Sequence, residues 1–276
     1  MAEFHRLFVS CIRIMVEIRT VSTARFEMEY VSFGHGPRPL VLVPGMSLHS
    51  VMEQKDSVAF VYKPFYEDFT IYLIDRIKNM PDGYTVEDMA RDTAEGIISL
   101  GLSDIDMIGY SQGGMIAMRI AGEHPDLVHK LILGSTSAYP GEKAKSIIGG
   151  WSVMAAEGDV KKVNKDMFAH IYSDAYRKKY ALAFSALESK GTKEEMDRLS
   201  ILAAACVTHD ARRLLDRIKC PVFVICSSQD KLFPPADSEY LAAAFGGRLY
   251  VYEGYSHAVY DEAPDFKSRM LGFLTE

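Results

Sequence analysis

The chain has 276 residues, of which 48% are hydrophobic and 25% charged, with a formal net charge of -6. That length and apolar content suit one elaborated α/β domain, or one domain carrying an insertion. The acidic balance argues against a nucleic-acid binder, because Lys161-Lys162 and Arg177-Lys178-Lys179 are short basic clusters that read as solvated helix faces and form no stripe.

Residues 7–16 form an apolar stretch, but Arg13 interrupts it and no small-residue cleavage site follows, so it reads as neither signal peptide nor membrane span. Residues 1–14 read as an N-terminal extension, on the hypothesis that Met15 is the natural start; mass spectrometry of the native N-terminus settles this. Cys11, Cys206, Cys220 and Cys226 show neither C-x-x-C spacing nor the density of a disulfide scaffold. A reducing, cytoplasmic setting is the expectation.

Residues 16–21 and 26–33 read as two antiparallel edge strands. Residues 40–43 are wholly apolar and run into Pro44-Gly45, as expected of a parallel strand covered on both faces, and residues 70–74 repeat that signature before Asp75. Apolar residues recur at helical spacing over 86–100, with Thr85 as cap and Asp88 three residues on. Residues 105–108, 131–133, 221–226 and 249–252 supply further strands, with helices predicted at 115–123, 236–245 and 266–274. This alternation implies right-handed crossovers and a mainly parallel sheet whose ligand site lies beyond the carboxyl ends of its strands. The alternation breaks over 139–216, which reads as helical throughout.

Ser111 sits in Gly109-Tyr110-Ser111-Gln112-Gly113, after one predicted strand and before a helix. A G-x-S-x-G nucleophile elbow needs that context, since the turn strains the serine backbone and the flanking glycines let strand and helix pass closely. A serine hydroxyl is a weak nucleophile at neutral pH and needs a base, a group that orients the base, and donors for an oxyanion. Asp230, in Ser227-Ser228-Gln229-Asp230-Lys231-Leu232-Phe233-Pro234, and His257, in Gly254-Tyr255-Ser256-His257, each follow a later predicted strand.

With these residues in hand, the chain resembles the α/β-hydrolase superfamily over nearly its whole length: the elbow, the D-x-x-x-P loop, the G-x-x-H turn, and Glu262-Ala263-Pro264-Asp265-Phe266 before the last helix. The resemblance implies a mostly parallel sheet flanked by helices, with residues 1–138 and 217–276 as core and 139–216 as an inserted helical cap. It implies Ser111 as nucleophile, His257 as proton carrier and Asp230 as the group orienting it. Where some relatives place the acid one strand earlier, this chain has Gly134-Ser135-Thr136-Ser137 and no carboxylate.

The oxyanion donors implied are the backbone N-H groups of Gln112 and Met46. Two departures stand out: relatives usually have His-Gly where this chain has Pro44-Gly45, and Arg76-Ile77-Lys78 replaces a glycine-rich loop after Asp75. His49 is expected to face solvent. Phe168, Tyr172, Tyr176, Tyr180 and Phe184 recur every four residues; on one helix that series drifts about 40° per step, so most are expected to be cap packing. Tyr110, Trp151, Met154, Phe168 and Tyr172 are the candidate substrate-binding residues.

No metal-ligand spacing, P-loop or dinucleotide fingerprint occurs, so no cofactor or metal is expected. The implied activity is hydrolysis of a carboxylic ester or related acyl bond, thioester or lactone, of a small to medium hydrophobic molecule. No nucleic-acid or membrane partner is expected, and no residue reports the oligomeric state. A C-C bond hydrolase or a cofactor-independent haloperoxidase-like enzyme uses the same triad, and a triad-retaining ligand receptor is the alternative from another class.

Overall fold

The computed structural model describes residues 15–276; the proposed extension and Cys11 lie outside the described residues. Eight strands form one sheet in the order β1-β2-β4-β3-β5-β6-β7-β8. They are β1 (Arg19–Ser22), β2 (Glu27–Gly34), β3 (Arg38–Val43), β4 (Phe69–Ile77), β5 (Ile105–Tyr110), β6 (Val128–Gly134), β7 (Val222–Ser227) and β8 (Arg248–Tyr252). β1 pairs antiparallel with β2, and β2 with β4; every later pairing is parallel.

The helices are α1 (Lys55–Val61), α2 (Val86–Ser99), α3 (Gln112–Glu123), α4 (Glu142–Ala156), α5 (Val160–Ile171), α6 (Asp174–Lys179), α7 (Ala181–Leu187), α8 (Lys193–Thr208), α9 (Pro235–Phe245), α10 (Val259–Glu262) and α11 (Phe266–Thr275). Strand periodicity divides the core between the two faces of the sheet. Val41, Met107, Leu131 and Val224 point to the layer holding α2 and α3, while Leu42, Ile108, Ile132 and Ile225 point to the layer holding Phe266 and Met270 of α11. Burial on both faces explains why the central strands read as unbroken apolar runs. Helix α2 starts at the expected Thr85, whose hydroxyl accepts from the Asp88 N-H while the Asp88 carboxylate accepts from Thr85 N-H.

Two differences from the sequence expectations bear on the site. Strand β4 does not stop at residue 74 but runs through Asp75 and Arg76 to Ile77, with both polar side chains buried. The aromatic series from Phe168 to Phe184 does not lie on one helix. The chain turns extended at Tyr172 and breaks again at Tyr180, so residues that would wind around a single cylinder fold back on one another. Tyr172 and Tyr176 stack with centroids 5.4 Å apart, and Phe184 packs 4.9 Å from Phe168 and 5.0 Å from Tyr172.

Helices α4 to α8 all lie between β6 and β7; α4, α5 and α8 share the core on the α3 side of the sheet, and the segment is tied to the rest of the chain by hydrogen bonds and ion pairs. Ala258 N-H donates to the Ile171 carbonyl at 2.8 Å, Ser173 Oγ donates to Glu262 Oε2 at 2.6 Å, and Arg198 of α8 pairs with Asp75 at 2.6 Å. Ala211 N-H donates to the Ala138 carbonyl at 2.8 Å, closing the base of the excursion.

Candidate active site

Ser111 stands at the carboxyl end of β5 with φ 52° and ψ -121°, a backbone conformation held at a cost of about 1–3 kcal/mol by what surrounds it. Its N-H donates to the Gly134 carbonyl at 2.9 Å, and its own carbonyl accepts from Thr136 Oγ1 at 2.7 Å. The glycines of the motif are demanded by proximity. A Cβ on Gly109 would stand 2.5 Å from the Gly113 carbonyl oxygen, and one on Gly113 would stand 2.0 Å from the Val43 carbonyl oxygen.

Strands β5, β6, β7 and β8 are parallel neighbours, so the loops after them emerge along one edge of the sheet. The loops after β7 and β8 are tied together there: Gln229 N-H donates to the Tyr255 carbonyl at 3.1 Å and Ser227 Oγ to the Ser256 carbonyl at 2.6 Å. Asp230 Oδ1 accepts from Leu232 N-H at 2.8 Å and Phe233 N-H at 3.0 Å, which leaves Oδ2 to meet His257 Nδ1 at 2.8 Å. Both side chains are buried, at 0% and 2% exposure, so the bond is shielded from competing water. A carboxylate only accepts, so Nδ1 carries the proton and Nε2 is left as the basic nitrogen.

Gln112, fully buried, is the first residue of α3, and the first N-H groups of a helix have no intrahelical acceptor. The loop after β3 lies against the serine: a methyl on Gly45 would stand 3.3 Å from Ser111 Cβ. Met46 packs partly buried against the core on the α3 side of the sheet.

Between these two segments sits a group the sequence analysis did not assign. Arg76 Nη2 donates to the Pro44 carbonyl at 2.7 Å and to Gln112 Oε1 at 3.0 Å. The Gln112 amide nitrogen in turn donates to the Leu202 carbonyl at 2.8 Å and Cys206 Sγ at 3.2 Å, both on α8. Burial pushes the Arg76 pKa down to about 10, with Asp75 opposing the shift, so it stays charged at neutral pH. Burial pushes the Cys206 thiol up to about 12, leaving it a neutral acceptor. The available signal was the departure after Asp75, where Arg76-Ile77-Lys78 replaces the expected glycine-rich loop.

The candidate pocket residues divide. Phe168 and Tyr172 belong to the aromatic cluster that packs on Ala258, next to His257. Tyr110 does not face a ligand site: its hydroxyl bonds Tyr62 at 2.7 Å, its ring stacks on Tyr260 at 4.7 Å, and Met270 lies 3.2 Å from its oxygen. The pleat sends it to the α11 side of the sheet. Trp151 is 1% exposed and donates its indole N-H to Asp166 Oδ2 at 2.7 Å, so it joins α4 to α5. Met154 is half-buried against the same core. His49 is also corrected, because it is half-buried and its Nδ1 lies 2.6 Å from Glu195 Oε1 on α8.

The profile described as "alpha/beta hydrolase fold" matches residues 38–264. The chain belongs to the alpha/beta hydrolase fold family. Among alpha/beta hydrolases and related proteins, a Serratia proteamaculans protein named "Putative carbamate hydrolase RutD" is 28% identical over 219 residues, covering 71% of this chain and 75% of its own length. A Neisseria meningitidis protein named pimeloyl-[acyl-carrier protein] methyl ester esterase is 29% identical over 186 residues, covering 60% of this chain and 66% of its own. The enol-lactonase structure from Burkholderia xenovorans LB400 superposes with a TM-score of 0.80 at 19% identity, over 94% of this chain and all of that one, which speaks to fold alone. As an alpha/beta hydrolase the chain is an enzyme of esterase-like kinship. No helix among the described residues is long and apolar enough to cross a membrane.

Proposed function

We propose that the protein is a serine hydrolase that cleaves a carboxylic ester or related acyl bond through an acyl-enzyme on Ser111. The observation that carries this reading is the buried Asp230–His257 hydrogen bond, on the same sheet edge as a serine held in a strained elbow. In this reading Ser111 Oγ attacks the carbonyl carbon and passes its proton to His257 Nε2, while Asp230 stabilises the imidazolium that forms. The Gln112 and Met46 N-H groups hold the oxyanion until it collapses and the protonated leaving group departs. Water activated by the same histidine then attacks the acyl carbonyl and frees Ser111.

Residues 139–216 act as a cap over this site. Phe168, Tyr172, Tyr176 and Phe184 beside Ala258 favour an apolar acyl or alcohol group of small to medium size. The methyl ester and carbamate named for the two relatives both place a heteroatom leaving group on a carbonyl carbon, the bond type this triad handles.

The test is labelling with a fluorophosphonate probe followed by peptide mass spectrometry, run beside turnover of p-nitrophenyl esters of increasing chain length. Modification is expected at Ser111 and nowhere else, with loss of labelling and a fall in turnover of roughly three orders of magnitude or more in Ser111→Ala at unchanged Tm. Wild-type turnover by pure Ser111→Ala overturns the assignment.

A further inference from the structure

The Arg76 side chain bridges the two segments that carry the oxyanion donors, and nothing in the serine-hydrolase reading assigns it a task. Its Nη2 reaches the carbonyl of Pro44, two residues before Met46, and the side-chain oxygen of Gln112, whose own backbone N-H is the other donor. We propose that Arg76 is a positioning residue of the oxyanion hole, clamping the 44–46 loop to the start of α3 at a set separation, with α8 as the buttress behind Gln112. This rests on the serine-hydrolase reading.

Space-filling does not account for the group. A buried guanidinium pays a desolvation penalty that an apolar residue of similar volume avoids, and among the described residues Arg76 Nε finds no partner at all. What the arginine supplies is two hydrogen bonds from one nitrogen to two different chain segments, a geometry an aliphatic side chain cannot copy. The buttress is built the same way. Gln112 Nε2 reaches Leu202 and Cys206 of α8, while Asp75, adjacent to Arg76, is held by Arg198 of α8 at 2.6 Å and by Ser50 Oγ at 2.6 Å. The relation between Met46 and Gln112 is therefore set by side chains from three elements, β4, α3 and α8. Donor placement matters because an oxyanion hole acts only where donors already point at the developing charge.

The experiment compares wild type with Arg76→Gln, Arg76→Lys and Gln112→Met, the last keeping the backbone N-H while cutting the side-chain links. Each is assayed for kcat and KM on p-nitrophenyl butyrate. Each is also titrated with an alkyl trifluoromethyl ketone, which forms a tetrahedral adduct on serine, and with its non-fluorinated methyl ketone, which serves as a ground-state ligand. Arg76→Gln is expected to lower kcat roughly 10- to 100-fold, below the loss for deleting a donor outright, with KM within about threefold. The trifluoromethyl ketone should weaken by a factor like that of kcat while the methyl ketone is unchanged, Arg76→Lys should be intermediate, and Gln112→Met should move in the same direction.

Retention of kcat and adduct affinity by both Arg76→Gln and Gln112→Met, in an active wild type, overturns the clamp and leaves the hydrolase reading standing. Parallel loss of methyl ketone and trifluoromethyl ketone binding in folded Gln112→Met also overturns it, since that is the signature of general structural damage. A wild type with neither turnover nor labelling at Ser111 refutes the hydrolase reading and the clamp with it.

Discussion

Replacing Gly113 by alanine places a methyl where the chain has backbone. Its Cβ would lie 2.0 Å from the Val43 carbonyl oxygen and 2.6 Å from the Pro44 carbonyl oxygen, whereas real Cβ atoms essentially never approach below 3.0 Å. About 1 Å of separation must therefore open between the end of β3 and the start of α3, and because both obstacles are main-chain atoms no rotamer change relieves them. Overpacking of this kind costs about 1–3 kcal/mol, and in a domain of this size each kcal/mol lowers Tm by roughly 2–4 °C. The functional loss should be larger than the stability loss. The gap opens between the Gln112 and Met46 segments, and a misplacement of about 1 Å at a reacting centre costs on the order of 100-fold in rate. Differential scanning fluorimetry and p-nitrophenyl butyrate kinetics on Gly113→Ala measure both. Gly149→Ala is the control: it lies within α4, its nearest neighbour is Val207 Cγ2 at 3.7 Å, and it should gain about 0.5–1 kcal/mol with kcat unchanged. A Gly113→Ala variant with Tm and kcat both at wild-type values would refute the inference that this contact sets the separation of β3 and α3.

Two further outcomes follow from the buried histidines. Asp230→Asn can keep its bonds from Leu232 and Phe233 N-H but presents an N-H to His257 Nδ1, which moves the imidazole proton to Nε2 and removes the base; kcat should fall by a factor on the order of 10⁴ with the fold intact, and an unchanged rate of fluorophosphonate labelling would contradict this. His209, at the end of α8, is buried with neither ring nitrogen hydrogen-bonded among the described residues, and desolvation together with nearby Arg119 pushes its pKa down from 6.5 to about 3. Between those values the unfolded chain binds a proton that the folded chain refuses. Stability should therefore fall as pH drops through that window, by at most ~1.4 kcal/mol per pH unit. Urea unfolding of His209→Leu between pH 6.5 and 4 should show a shallower slope than wild type, and superimposable slopes would sink the idea.

Much of the molecule was legible in the residues because the signals were local. Apolar runs ending in Pro-Gly or in Asp75 marked strands buried on both faces, Thr85 with Asp88 marked the start of α2, and the two glycines around Ser111 marked a turn where strand and helix nearly touch. The order Ser111, Asp230, His257 along three strand ends was likewise written in the chain, since parallel strands deliver their carboxyl ends to one edge whatever the packing details.

What the tertiary structure alone decided are relations between segments distant in sequence. Tyr110 turned away from the site because the pleat at the end of β5 sends its ring to the α11 layer, a matter of register with neighbouring strands. The aromatics from Phe168 to Phe184 converged because the helix broke at Tyr172 and Tyr180, where docking onto Ala258 and Glu262 outweighed continuation of a helical period. Arg76 acquired its partners Pro44 and Gln112, 32 and 36 residues away, only once β4 lay beside β3 and α8 closed over Gln112. Composition and spacing marked the candidate residues, Ser111, Asp230 and His257, because side-chain type and a tight strand-to-helix turn are local properties. The fold decided which of them meet, because hydrogen bonds and burial depend on what the rest of the chain brings alongside.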